Sequence, residues 1–152
     1  MERGSLTTLD KERGLQVVLT SMESDSHTWN LVFLQLVLEE LGHRVTNLGA
    51  CVPDHVLVEE CRLPPPDLIV ISSVNGHGYN DGMRVIGLLR SQPEFAGTPV
   101  VIGGKLGIGG AEDMRYSSAL LDAGFNAVFQ DAAGIESFRS YARSLPGGHR
   151  DH

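Results

Sequence analysis

Asp25 and His27 stand two residues apart in the polar run Ser24-Asp25-Ser26-His27-Thr28-Trp29-Asn30, which leads straight into an apolar helix. A histidine that ligates a metal usually donates its other ring N–H to a carboxylate, which fixes the tautomer and raises the ligand's basicity, and at this spacing the aspartate reaches. One histidine is too few for a structural zinc site, which takes four protein ligands, so a metal here brings most of its own coordination sphere, as a macrocycle does. For an isolated D-x-H, the ordinary reading is a surface-loop histidine. Two further stretches stand out. Ser72-Ser73-Val74-Asn75-Gly76-His77-Gly78 ends a buried apolar run with two hydroxyls, and in Gly103-Gly104-Lys105-Leu106-Gly107-Ile108-Gly109-Gly110 five of eight residues are glycine. That much missing side chain suggests close approach by a bulky ligand, although glycine is also the default turn residue.

The elements that position these stretches follow one rhythm, a short β-branched run, a turn and a segment with helical spacing. The runs Leu15–Leu19, Val45–Leu48, Leu68–Ile71, Val100–Ile102 and Ala127–Phe129 read as strands β1 to β5. Helices are expected at His27–Leu41, Pro53–Cys61, Asn80–Leu89, Glu112–Ala123 and Ile135–Arg143, with Gly42 and Gly124 as stops and Pro53 in a first turn. Alternating βα units imply parallel strands joined by right-handed crossovers, hence an α/β, doubly wound, five-stranded sheet. The length suits the flavodoxin-like, Rossmann-like order 2-1-3-4-5, in which ligands bind outside the carboxyl ends of the strands where β1 meets β3. The three unusual stretches follow β1, β3 and β4, which that order makes neighbours. The expected division is a loose tail over 1–13, one domain over 14–145 and a second tail over 146–152.

Composition narrows the function. With 12 basic against 19 acidic side chains and no block of Lys or Arg, a nucleic-acid or anionic-membrane partner is disfavoured. The uncharged apolar run Leu31–Leu38 is far short of the roughly 20 residues that span a bilayer, and Met1–Gly14 lacks the apolar core of a signal peptide, so the expected location is the cytoplasm. Cys51 and Cys61, ten apart, read as two partly buried thiols of a reducing compartment. The glycine-rich run matches neither a P-loop nor a dinucleotide fingerprint. A phosphate-receiver domain would want an aspartate at the end of β3, where this chain has Ser72 and Ser73. The helix Leu31–Leu41, apolar nearly all round, is expected to be buried on more than one side.

Taken in order, Asp25-Ser26-His27-Thr28-Trp29-Asn30, Ser72-Ser73-Val74 and Gly103-Gly104 resemble the D-x-H-x-x-G, S-x-L, G-G signature of cobalamin-binding domains, over about Leu15 to Arg143. Asn30 stands where the signature has glycine and Val74 where it has leucine. The resemblance is closest to the free-standing small component of mutases of the glutamate mutase (methylaspartate mutase) type. It implies adenosylcobalamin as cofactor, with His27 replacing the cofactor's own benzimidazole as lower axial ligand of cobalt and Asp25 hydrogen-bonded behind it. It implies that Ser72 hydrogen-bonds the displaced base, that Ser73 and Val74 line the slot, and that Gly103 and Gly104 leave it room. Ser24, Ser26 and Thr28 would flank the corrin, while Gly104, Lys105, Leu106, Gly107 and Ile108 would run along the nucleotide tail.

Recognition of a dicarboxylic amino acid calls for converging arginines, and Arg62, Arg84, Arg90, Arg115 and Arg139 are scattered over different helices. The resemblance therefore assigns substrate binding to a large barrel-type catalytic subunit, with this chain inactive alone as one part of an isomerase. Two alternatives share the motif. One is a corrinoid carrier for methyl transfer, a kind of protein that usually has a helical cap domain ahead of the cobalamin domain, where only about 14 residues precede β1 here. The other is a non-catalytic cobalamin-binding module.

Overall fold

The computed structural model describes residues 15–21, 29–62, 65–73, 78–104, 112–130 and 133–144. Strands β1 (Gln16–Ser21), β2 (Arg44–Gly49), β3 (Leu68–Ser73), β4 (Val100–Gly104) and β5 (Ala127–Gln130) form one sheet of order β2-β1-β3-β4-β5. Every pairing is parallel, so the sheet is the expected flavodoxin-like one. The helices are α1 (Trp29–Glu40), α2 (Asp54–Cys61), α3 (Gly78–Arg90), α4 (Glu112–Ala123) and α5 (Ala133–Ser144), and a 3-10 turn at Pro93–Phe95 precedes β4. No periodic pattern marks that turn as an element of its own.

Strand alternation builds two cores. Val18, Ile69, Ile71, Val100 and Ile102 point to one face, where Leu57 and Cys61 of α2, Ile86 and Leu89 of α3 and Leu120 of α4 cover them. Val17, Leu19, Leu68, Val70 and Val101 point to the other, covered by Leu31, Leu34, Val37 and Leu38 of α1 and Phe138 and Ala142 of α5. Gly42 and Gly124 stop their helices with φ of +95° and +132°, values glycine adopts without a Cβ penalty. Past each of them the chain bonds back into the helix, the His43 N–H to the Leu38 carbonyl at 3.1 Å and the Phe125 N–H to the Leu120 carbonyl at 3.2 Å. Pro53 lies one residue before α2, as its N-cap.

Two expectations need correction. The outer face of α1 is open, with Val32 46%, Phe33 41% and Leu36 59% exposed, because sheet and α5 lie on the same side of the helix. The two thiols are also unlike each other. Cys61 is buried in the α2 core, which pushes its thiol up to about 12, helped by the nearby Glu60 charge. Cys51 is exposed, on a left-handed turn with φ +56°.

His43 is a buried tie that sequence reasoning did not single out. Its Nδ1 accepts the Leu15 N–H at 3.2 Å and its Nε2 faces the Ala142 carbonyl at 3.1 Å, so the proton sits on Nε2. Replacing His43 by alanine leaves both backbone groups without that partner, and urea denaturation should show a loss of about 2 kcal/mol.

Candidate functional site

The carboxyl ends of the three central strands carry a registered row. Ser21 of β1 lies beside Ser72 of β3, Ser72 beside Gly103 of β4, and Gly103 beside Phe129 of β5. Ser21 and Ser72 are 2% and 3% exposed, so two hydroxyls end buried strands at the point where the sheet order reverses. By alternation the row belongs to the face that α1 and α5 cover, the face of Val17, Leu19, Val70 and Val101. Between Ser72 and Phe129 the side-chain position is empty because residue 103 is glycine. Phe129 closes that end, edge-on to Phe138 at 5.5 Å and to Tyr141 at 5.7 Å. Burial pushes the Tyr141 hydroxyl above its ordinary range.

Gly103 has a local reason besides room for a ligand. A Cβ built there would lie 3.2 Å from the Phe129 carbonyl oxygen and 3.4 Å from its Cβ. An alanine forces β5 outward by a few tenths of an ångström and puts a methyl into the gap. Gly103→Ala should therefore lower stability by about 1 kcal/mol in urea and also weaken any ligand that fills the row.

Two more of the expected site residues, Ser73 and Gly104, can be placed. Ser73 ends β3 beside Gly104, which pairs in turn with Gln130. Asn30, in the position of the signature glycine, has helical backbone in the first turn of α1, so no positive φ is required there. Ser24, Asp25, Ser26, His27, Thr28, Val74, Lys105, Leu106, Gly107 and Ile108 lie outside the described residues. Each of those segments begins where a row strand ends, at Ser21, Ser73 and Gly104. The structure thus brings the three strand ends from which the motif-bearing connections leave to one edge of the sheet, as the strand order required. A cavity of about 500 Å³ lined by Gln16, Val17, Thr46, Glu60 and Pro66 opens at the opposite, amino end of β1 and is separate from the row.

The described arginines do not converge. Arg84 reaches both oxygens of Asp54 at 2.7 and 3.2 Å and Asp81 at 2.9 Å, bonds that raise its pKa further. Arg62 pairs with Glu94 and Gln92, and Arg139 with Glu40. Arg90 is turned onto backbone carbonyls at the amino edge.

The family model of the B12 binding domain matches residues 15–128. The chain belongs to the B12-binding domain family. It is also 29% identical over 121 residues to the glutamate mutase sigma subunit of Halobacterium salinarum, covering 80% of each chain. Among solved structures it shares the fold of a cobalamin-binding protein from Desulfitobacterium hafniense, with TM-score 0.65 and 20% identity over 89% of this chain. It shares that of the monomethylamine corrinoid protein of Methanosarcina barkeri as well, with TM-score 0.64 and 17% identity over 89%. This chain spans 60% and 62% of the length of those two. The match runs from β1 into β5 and covers Ser21, Ser72 and Gly103 of the row. The row fits such a ligand, since neutral hydroxyls beside a glycine gap suit an uncharged heterocyclic base better than a phosphate. Among the described residues no helix is long and apolar enough to cross a membrane.

Proposed function

We propose that the chain is the cobalamin-carrying component of a cytoplasmic, adenosylcobalamin-dependent carbon-skeleton mutase of the glutamate to 3-methylaspartate type, inactive without a large barrel-type subunit. The observation that carries this reading is the buried row Ser21–Ser72–Gly103 at the switch point of a B12-binding domain, together with the sigma-subunit relative of matching length. Bound adenosylcobalamin supplies the radical chemistry of the rearrangement.

The residues of this chain hold and orient it. His27 would hold the cobalt through one ring nitrogen in place of the cofactor's base, and Asp25 would take the other ring N–H and fix the tautomer. Ser72 hydrogen-bonds the displaced base, Ser73 and Val74 line its slot, and Gly103 and Gly104 keep the slot open. Ser24, Ser26 and Thr28 border the corrin, and Lys105, Leu106, Gly107 and Ile108 follow the tail. The local engagement of Arg62, Arg84, Arg90 and Arg139 supports placing the amino-acid substrate on the partner.

An absorbance titration of the purified chain with adenosylcobalamin tests the reading. Saturable binding with loss of benzimidazole ligation is expected, and adding the large subunit and glutamate should yield 3-methylaspartate. No spectral change with both subunits present removes the proposal, and cofactor binding without rearranged product removes its mutase part.

A further inference from the structure

The turn after β2 carries two left-handed residues within three positions, Gly49 at φ +94° and Cys51 at φ +56°. Glycine takes such a conformation freely, whereas a cysteine holds it only where its surroundings enforce it. The enforcement comes from β1. The Ser21 hydroxyl donates to the Gly49 carbonyl at 3.2 Å and accepts the Cys51 N–H at 3.0 Å. The ladder is already irregular there, because Leu19 pairs with Asn47 but Thr20 pairs with Gly49. The turn is anchored on a second side too. Asn47 Oδ1 accepts the Gly49 N–H at 2.9 Å, while Asn47 Nδ2 donates to Gln35 of α1 at 3.1 Å.

Ser21 is the last residue before 22–28 and α1 begins just after it. The described elements on either side of residues 22–28 are therefore tied to the same turn, β1 through Ser21 and α1 through Gln35 and Asn47. We infer that the buried Ser21 hydroxyl is a positioning residue for cobalamin binding: it holds the strained Gly49–Cys51 turn in its left-handed shape, and that shape of the turn sets the exit of β1 toward the segment that carries His27. The inference rests on the function proposed above. A direct contact of Ser21 with the cofactor is the competing explanation, since Ser21 neighbours Ser72.

The experiment compares the wild-type chain with Ser21→Ala, Cys51→Gly and the double variant. The readouts are the adenosylcobalamin Kd, the histidine-ligated fraction in the absorbance spectrum, and hydrogen exchange of the residue-51 amide. Ser21→Ala should weaken binding about tenfold, lower the histidine-ligated fraction and speed amide exchange by a similar factor. Cys51→Gly alone should leave binding unchanged, because glycine needs no clasp to hold the turn. The double variant should return to within about threefold of wild type, which a lost direct contact cannot do. Wild-type binding in Ser21→Ala, or a double variant as weak as the single one, overturns the inference. A wild-type chain that binds no cobalamin overturns the proposed function and the positioning role with it, and unchanged amide exchange in Ser21→Ala overturns the clasp separately.

Discussion

A His27→Ala chain is expected to bind adenosylcobalamin at least tenfold more weakly than wild type, with no histidine-ligated spectrum at any cofactor concentration. In the proposed arrangement the side chain removed is the protein's one bond to cobalt, whereas the paired Ser72 and Gly103 would meet only the distant base and tail. Binding through the row alone leaves the cofactor's own base free to return to the metal, so the residual complex should show benzimidazole ligation. Asp25→Asn isolates the outer partner. An asparagine still accepts a hydrogen bond through its amide oxygen but no longer raises the basicity of the imidazole, and losses of about 10- to 100-fold are usual when such a partner of a metal-bound histidine is changed. Both variants should unfold in urea at the wild-type midpoint, because the proposal gives both side chains a role toward the cofactor and none in the fold. Wild-type affinity in His27→Ala removes the axial role, whatever the fate of the fold.

The architecture was readable because its signals are local. Five β-branched runs separated by helical spacing admit few arrangements once crossovers are right-handed, and the order β2-β1-β3-β4-β5 follows. Gly42 and Gly124 marked helix ends because an unstrained left-handed stop is nearly a property of glycine alone. That Ser72 and Gly103 fall side by side near the carboxyl ends of their strands was readable because the apolar runs stop there. The clasp was not. Nothing in Leu48-Gly49-Ala50-Cys51-Val52-Pro53 marks the cysteine as left-handed, since its conformation depends on a hydroxyl 30 residues away in sequence. The exposure of Val32, Phe33 and Leu36 was illegible for a related reason. An apolar side chain reports that it favours burial, and only the placement of sheet and α5 decides whether anything covers it. Arg90 belongs to the same group, as a scattered charge in the sequence whose partners lie 5 to 36 residues away.

Replacing Arg90 by methionine should lower stability by about 3 kcal/mol, or about 6–12 °C in Tm for a chain of this size, while leaving cobalamin affinity at low temperature within twofold of wild type. The guanidinium joins the end of α3, the approach to β4 and the turn after α4. Its Nη1 donates to the Phe95 and Thr98 carbonyls at 2.6 and 2.9 Å, Nε and Nη2 donate to the Gly124 carbonyl at 3.1 and 2.8 Å, and Nη2 also reaches Asn126 Oδ1 at 2.9 Å. Burial lowers its pKa, but an arginine has ample margin and stays charged. Methionine keeps much of the apolar stem, so the loss reads the hydrogen bonds rather than packing. Lysine should recover less than half, since one ammonium cannot serve three carbonyls fixed by a planar fork. Gly124→Ala attacks the same joint from the other side, with a Cβ 2.9 Å from Arg90 Cγ on a backbone at φ +132°. Combined with Arg90→Met it should cost less than the sum of the two, because each change already breaks the contact the other disturbs. Asn126 Oδ1 also accepts the N–H of Val100, the first residue of β4, so the whole joint sits at the amino edge of the sheet. Gly103 and Gly104 lie at the other end of that strand. A stability loss with intact cofactor affinity would place fold maintenance and ligand binding at opposite ends of β4, and a matching loss of affinity would show the two edges to be coupled through the strand.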